Sequence, residues 1–269
     1  MRRLAVLASL VLLTACGGGG HRNQSASRAA VAAYLTRVDN IEAVMNQPLR
    51  DVSAATVAFA HSRDPATTAP ALARAEQTLL SVSAQLSLAK SPAAAHTLQT
   101  LLLQLIGRQA MLAGELHDFA IFNPAFAAAM RPLAQANTTA HAALKGKQKP
   151  AQAADQIRAY RVAVAAAVKQ VRTLRPPSVE RPLYSAQLER LTLLDTTLAG
   201  LERAVRARDV IAAARLEHAV SVASVSSDSR ANQLAEQAAA NAYNARVASV
   251  QALARRVQQE RNRLQVTLR

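Results

Sequence analysis

The side chains best suited to metal binding or acid–base chemistry are six histidines and a few carboxylates, and their spacing matches no known site. The densest polar group is Glu115, His117 and Asp118, but residues two apart on a helix point in different directions. No pair of histidines and no Glu-x-x-His pair has the helical spacing that directs two ligands at one ion. Glycine-rich phosphate loops and Gly-x-Ser-x-Gly nucleophile motifs are absent as well. The sequence therefore predicts no enzyme activity, no metal site and no cofactor.

Cys16 is the one cysteine of the chain, so it has no intramolecular disulfide partner. It ends a segment with the three-part form of an export signal: Arg2 and Arg3, an apolar run over 4–13, and then small residues. A membrane-spanning helix needs roughly 20 apolar residues. Because this run is about half that length and is followed by the glycines at 17–20, we expect a signal peptide rather than a membrane span.

The quartet Leu13-Thr14-Ala15-Cys16 resembles the lipobox of bacterial lipoproteins. The resemblance implies that 1–15 is removed and that Cys16 becomes the N-terminus and carries acyl chains such as palmitate. Two or more chains give a stable anchor, since each buried methylene contributes about 0.8 kcal/mol. We expect an extracytoplasmic protein, anchored to the cell membrane or, in a source with two membranes, to the outer membrane. The glycine-rich remainder of 16–27 is expected to be a flexible tether.

Beyond residue 27 the chain reads as a series of amphipathic helices. Alanine, leucine and valine dominate, aromatic residues make up 3%, and tryptophan is absent, which suits close helix-on-helix packing. Apolar side chains recur at steps of three and four residues almost to the end of the chain. The sequence predicts an all-α fold, an up-and-down bundle of about seven long helices, with 28–269 as one bundle domain.

Prolines and caps predict where these helices begin and end. Ser91-Pro92 and Asn123-Pro124 both resemble helix starts, and a further helix is expected from Ala151. Pro48 predicts a kink or break in the first helix, and Pro132 a second interruption. Three β-branched and serine residues at 220–222 hint at a strand, but no second strand could pair with it, so we expect helix there.

Two long-range relations are also expected. The first and last helices carry matching apolar stripes and are predicted to pack together and close the bundle. A shift of 86 residues places Leu112-Ala113-Gly114 on Leu198-Ala199-Gly200. This leaves open a bundle of two pseudo-repeated helical halves. The alternative is a chance alignment of two helices with leucine heptads.

The formal net charge of the chain is +15, so basic residues are in excess over acidic ones. Those that form clusters are Lys145, Lys147 and Lys149 before Pro150, and Arg255, Arg256, Arg261 and Arg263 on the last helix. They could contact anionic membrane lipid or an anionic wall polymer. Alternatively, they form ordinary solvated helix faces, because basic residues favour helix C-termini. Export and the absence of interleaved aromatic residues argue against nucleic acid.

Two parts of the chain are similar to all-helical lipoproteins of GC-rich bacteria that have no assigned activity. They are the opening Tyr34-Leu35 with Val38 and Ile41, and the closing Ala242-Tyr243-Asn244-Ala245-Arg246-Val247 with Glu260-Arg261. That resemblance transfers no functional residue other than Cys16. We expect a lipid-anchored binding or scaffolding module of the cell envelope with a protein partner and without a small-molecule ligand. The alternatives are an anionic lipid or wall polymer bound through the basic faces, and a metal-handling protein in which Glu115 and His117 converge with residues of other helices.

Overall fold

A computed structural model describes residues 25–60, 65–145, 149–225 and 230–268. These ranges form α-helices joined by short turns and contain no β-strand, which confirms the all-α prediction. Seven α-helices are present in the described ranges: α1 (Ser25–Ala60), α2 (Ala69–Leu88), α3 (His96–Lys145), α4 (Pro150–Thr173), α5 (Arg181–Ala207), α6 (Val210–Val225) and α7 (Arg230–Leu268).

The chain forms two compact units, whereas the sequence led us to treat 28–269 as one bundle domain. Within the described residues, unit 1 comprises 25–120 and 242–268, and unit 2 comprises 121–241. Unit 1 therefore contains α1, α2, the first part of α3 and the second part of α7. Unit 2 contains the remainder of α3 and α7 together with α4, α5 and α6.

Unit 1 is an up-and-down bundle around a core of aliphatic side chains. Tyr243 of α7 hydrogen-bonds Thr56 of α1, and Arg261 of α7 bonds Glu42 of α1, so the two helices run antiparallel. The first and last helices therefore pack together, as predicted. Fully buried members of the core come from all four helix segments and include Val38, Leu72, Leu79, Leu98, Ile106 and Leu264.

Unit 2 has the same up-and-down arrangement with a separate core. Arg158 of α4 contacts Glu202 of α5, and Asp155 contacts Arg206, which fixes an antiparallel pair. The end of α3 and the whole of α6 complete the bundle. Its core includes Leu133 of α3, Ile157 and Val164 of α4, Leu191 and Leu198 of α5 and Val220 of α6.

Several expected boundaries differ from the structure. Asn123-Pro124 does not start a helix and Pro132 does not end one, because both prolines lie inside the continuous α3. Pro48 lies inside a continuous α1, so the alternative of a break there is wrong. A proline within a helix removes one hydrogen bond at a cost of about 3 kcal/mol. Phe122 and Leu133, which lie beside Pro124 and Pro132 in α3, are buried in unit 2, and this packing helps to offset the cost.

Other expectations are confirmed. Helix α4 begins at Pro150, one residue before the predicted start, and residues 220–222 lie within α6 as helix.

In the 86-residue shift, Leu105 and its counterpart Leu191 are both buried, but Leu112 is only partly buried where Leu198 is fully so. Cys16 and Lys147 lie outside the described residues, and α1 includes the last three residues of the predicted tether.

Candidate functional site: the charge-poor pair of helices α2 and α3

The predicted basic surface on α7 loses Arg261, whose side chain is buried at 5% exposure. Its Nη1 donates to Glu42 Oε2 at 2.6 Å, and Nη2 pairs with the Asp39 carboxylate. The prediction that Arg261 contacts an external anion is therefore wrong. Its position continues the apolar stripe of α7 between Val257 and Leu264, so its side chain points into unit 1.

The other arginines of this cluster are exposed but differ in their partners. Arg263 binds Glu260 at 2.6 and 2.8 Å and donates to the Ala94 carbonyl at 3.1 Å. The hydrogen bond from Arg263 is the main cause that lowers the pKa of the Glu260 carboxyl. Arg255 and Arg256 are exposed on the outer face of α7. Arg255 and Arg256 thus remain as candidates for a basic surface in unit 1.

Lys145 and Lys149 are exposed in unit 2, at the end of α3 and at the residue before α4. The backbone N–H of Lys149 donates to Gln152 Oε1 at 3.4 Å, so this lysine caps α4 through its backbone while its ammonium group stays in solvent. These lysines belong to unit 2, whereas the α7 arginines belong to unit 1.

The side chains of Glu115 and His117 contact different partners. Glu115 pairs with Arg246, and His117 Nδ1 lies 3.6 Å from an Asp118 carboxylate oxygen. An open cleft of about 220 Å³ beside them is lined by Glu76, Met111, Gly114, Glu115 and Asp118. Within the described ranges, no group of three histidine, cysteine or carboxylate side chains is placed to hold a metal ion.

A buried carboxylate that sequence reasoning missed ties α4 to α5. Glu202 is 6% exposed, and its Oε1 accepts from Arg158 Nε at 3.0 Å and from Arg206 Nε at 3.3 Å. Arg161 lies 4.0 Å from the other oxygen and also binds Asp195 at 3.2 Å. The three arginines are each more than 40% exposed, so the network lies at the edge of the core. There the arginines neutralise the buried carboxylate. Its geometry indicates a structural role.

The most unusual surface in the described chain is a helix pair with almost no charge. Residues 77–107, the second half of α2 and the first turns of α3, contain a single formally charged side chain, Lys90. In the whole chain 18% of residues are charged, so a segment of this length would be expected to hold several. We call this segment the charge-poor pair. The scarcity of charged residues is visible in the sequence, but where these residues lie in the bundle follows only from the fold.

A buried amide positions the two helices of the charge-poor pair. Gln99 of α3 is 8% exposed, and its Nε2 donates to the carbonyl oxygens of Leu86 at 2.9 Å and Ala89 at 2.7 Å. Those carbonyls end α2, where the backbone has no further helical partner. Gln99 therefore closes the turn between α2 and α3 with a neutral group, where other proteins often use a glycine.

The outer face of α2 is apolar at its centre. Leu80, Ala84 and Leu88 follow one another at four-residue steps and are all exposed, with Leu80 at 51% and Leu88 at 84%. Side chains at this spacing lie on one face of a helix. Gln77, Ser81 and Gln85 flank them, and no acidic or basic side chain interrupts the face.

Three hydroxyl groups of the charge-poor pair donate hydrogen bonds to the helices that carry them. Thr78 donates to the Arg74 carbonyl at 2.9 Å, Ser87 to that of Ala84 at 2.7 Å and Thr100 to that of His96 at 3.1 Å. A surface whose polar groups keep their hydrogen bonds can lose its water at low cost. The centres of protein interfaces show the same depletion of charge.

Comparison with known proteins adds no relative: no protein-family model, no curated protein and no solved structure matches the chain. None of the described helices combines the length and the apolar character that crossing a membrane would require. The candidate site therefore depends on the geometry and chemistry of this chain alone.

Proposed function

We propose that this chain is a lipid-anchored, extracytoplasmic binding module of the cell envelope, and that the charge-poor pair binds a protein partner there. The anchor is the predicted acylation of Cys16. The observation that carries the proposal is the exposed row of Leu80, Ala84 and Leu88 within a stretch of the chain that has one formal charge. Apolar side chains without neighbouring charges favour a desolvated protein contact.

An anionic polymer is a poorer fit to this face. Such a ligand would need several cations close together, and the charge-poor pair has only Lys90. A small molecule would need an enclosed site, but the α2 face is convex and its large side chains point outward. A partner that presents an apolar groove or helix would cover Leu80 and Leu88 without leaving an unpaired charge.

The test is cross-linking in intact source cells that produce the full-length chain. We expect a discrete cross-linked partner with the unaltered protein, and its loss with the double variant Leu80→Arg/Leu88→Arg, because the variant buries two unpaired charges in the contact. The matched control is Leu193→Arg/Val162→Arg, which changes two side chains of similar exposure (60% and 64%) in unit 2. The control should retain the partner, and thermal melts should confirm that both variants fold.

Two further arms separate the alternatives. Cys16→Ala should reduce the cross-link if the predicted anchor brings the chain to its partner. Raised salt should leave an apolar contact in place, whereas binding of an anionic polymer should collapse. Retention of the partner by Leu80→Arg/Leu88→Arg, or its loss with the control as well, would refute the assignment of the charge-poor pair.

A further inference from the structure

One end of unit 2 combines exposed cations with two exposed apolar side chains. Arg206 near the end of α5 pairs with Asp155 in the second turn of α4 at 2.8 Å, so α5 ends where α4 begins. Only Arg208 and Asp209 separate α5 from α6, and α3 ends shortly before α4 starts. The end of α3 and the starts of α4 and α6 are therefore close neighbours.

The side-chain contact between α3 and α6 fixes their relative level. His141 of α3 lies 4.0 Å from Glu217 of α6. Lys145 is one turn beyond His141, about 6 Å along α3, and Ile211 is about 9 Å before Glu217 along α6. Lys145 and Ile211 are therefore at nearly the same level, at the same end of unit 2.

The apolar part of this end is Val210-Ile211. Val210 is 78% exposed and Ile211 is 86% exposed, so both β-branched side chains stand almost entirely in solvent. Burying one such side chain stabilises a complex by about 1.5–3 kcal/mol, a driving force that the isolated protein leaves unused.

The charges around Val210-Ile211 are mostly positive. Lys145, Lys149 and Arg208 are exposed, while Asp209 is the exposed acidic residue beside them. Asp209 Oδ1 accepts from the Ala212 backbone N–H at 2.9 Å and so caps the first turn of α6. Asp155 is compensated by Arg206. The remaining charge at this end attracts an anionic partner.

Arg208 stands in a backbone conformation that normally selects glycine. Its φ of 58° and ψ of 29° are left-handed, and among the described residues no other non-glycine residue has a positive φ. Glycine would hold this helix end with less strain. The chain instead carries an exposed cation next to its exposed apolar pair, which indicates that the side chain of Arg208 is used.

From these observations we infer that this end of unit 2 docks on an anionic lipid surface. Val210 and Ile211 enter the boundary between head groups and acyl chains, and Lys145, Lys149 and Arg208 contact the anionic head groups. Apolar side chains flanked by cations satisfy both layers of such a surface. The inference is independent of the protein contact proposed for unit 1, and it gives the anionic-lipid alternative a defined position.

The experiment reports on position 211 itself, because the apolar segment before Cys16 could bind vesicles by its own means. The full chain with Cys16→Ala and Ile211→Cys carries an environment-sensitive dye on its single cysteine. Vesicles of phosphatidylglycerol and phosphatidylcholine should shift the dye emission to the blue, and pure phosphatidylcholine should not. The matched control carries the dye through Leu193→Cys, an exposed apolar site within α5, and should keep its aqueous emission.

Two variants in the labelled chain test the cations. Arg208→Gly should raise the melting temperature, because strain is relieved, and should raise the vesicle concentration for half response about fivefold. Lys145→Gln/Lys149→Gln should raise that concentration more than tenfold. A purely structural role for Arg208 would move stability without moving the vesicle response. An unchanged response in both variants would overturn the inference.

Two other outcomes would also overturn it. Equal blue shifts at positions 211 and 193 would show that the whole chain adsorbs without orientation. A blue shift with soluble polyphosphate, which has no apolar phase, would show that this end binds an anion rather than a lipid surface.

Discussion

Helices α2 and α3 in unit 1 and helices α4 and α5 in unit 2 are both antiparallel pairs, but they are tied together by opposite means. The first pair uses the neutral Gln99 amide, which caps the end of α2. The second uses the Glu202 carboxylate, which is shared by three arginines. Helices α4 and α5 contain twelve charged side chains, against the single formal charge of the charge-poor pair.

The difference shows how a chain of net charge +15 keeps one surface nearly free of charge. In α4 and α5, acidic residues are placed to compensate arginines of the same pair, so the network is satisfied internally. In the charge-poor pair, backbone carbonyls accept the hydrogens of the Gln99 amide, and Lys90 is the single formal charge. A helix pair of the kind formed by α2 and α3 can meet an apolar partner without burying an unpaired charge. Burying such a charge costs several kcal/mol.

The largest loss of stability should come from placing a charge at Gln99, the neutral residue that joins α2 and α3. Gln99→Glu keeps the size of the side chain but, when ionised, has no hydrogen to donate and faces two carbonyl oxygens. We expect a loss of about 3 kcal/mol in the free energy of unfolding at pH 7. Urea unfolding followed by circular dichroism would measure it.

The pH dependence of that variant checks the cause. Burial beside carbonyls raises the pKa of the substituted carboxyl in the folded state above its unfolded value. Stability should therefore be retained below the unfolded pKa and lost as the pH rises through the folded pKa. Gln99→Leu serves as a control, since it removes the donor without adding a titrating group and should show the loss at every pH. A pH-independent loss in Gln99→Glu would contradict this account.

Neutralising Glu202, the carboxylate that joins α4 and α5, should reduce the free energy of unfolding by less. Glu202→Gln removes the charge and keeps an oxygen that can accept one hydrogen bond, and the three arginines can turn to water because each is more than 40% exposed. We expect a loss of about 1 kcal/mol, measured by the same urea titration. A loss as large as that of Gln99→Glu would mean that the two ties are equally demanding, and the contrast between the helix pairs would fail.

The smallest effects concern Gly114 of α3 and Gly200 of α5, which correspond under the 86-residue shift. At Gly200 an added Cβ would lie 3.4 Å from Leu216, an ordinary contact, so Gly200→Ala should stabilise by about 0.5–1 kcal/mol through helix propensity. At Gly114 the Cβ would lie 2.6 Å from the Glu76 carboxylate, which must move. Thermal melts should show a smaller gain for Gly114→Ala, and a gain equal to that of Gly200→Ala would contradict the packing difference.

Local patterns predicted the helices well and their boundaries less well. Helix α4 begins at Pro150, one residue before its expected start, whereas Asn123-Pro124 carries a similar proline signal and lies inside α3. Phe122 stacks on Phe126 across Pro124 with ring centroids 5.5 Å apart, a contact within α3. The non-local contribution comes from Tyr184 of α5, whose ring meets that of Phe122 edge-on at 6.1 Å. Such packing is decided by the tertiary structure, which the dipeptide does not encode.

The candidate surfaces were only partly readable from the sequence. The scarcity of charge over 77–107 is visible in the letters, but the outward direction of Leu80 and Leu88 depends on which face of α2 enters the core. The interruption of the α7 stripe at Arg261 could have indicated a buried arginine, whereas its partners Asp39 and Glu42 are too distant in sequence to identify. At Arg208, the absence of glycine concealed the left-handed turn.

The division of unit 1 between the two ends of the chain has a consequence for biosynthesis. Helix α1 is translated before unit 2, yet its partner Arg261 lies 219 residues after Glu42 and is translated after unit 2. Unit 2 is contiguous and has all its residues available first. Unit 1 is thus completed after unit 2, and a premature stop within α7 would remove a helix from the bundle of unit 1.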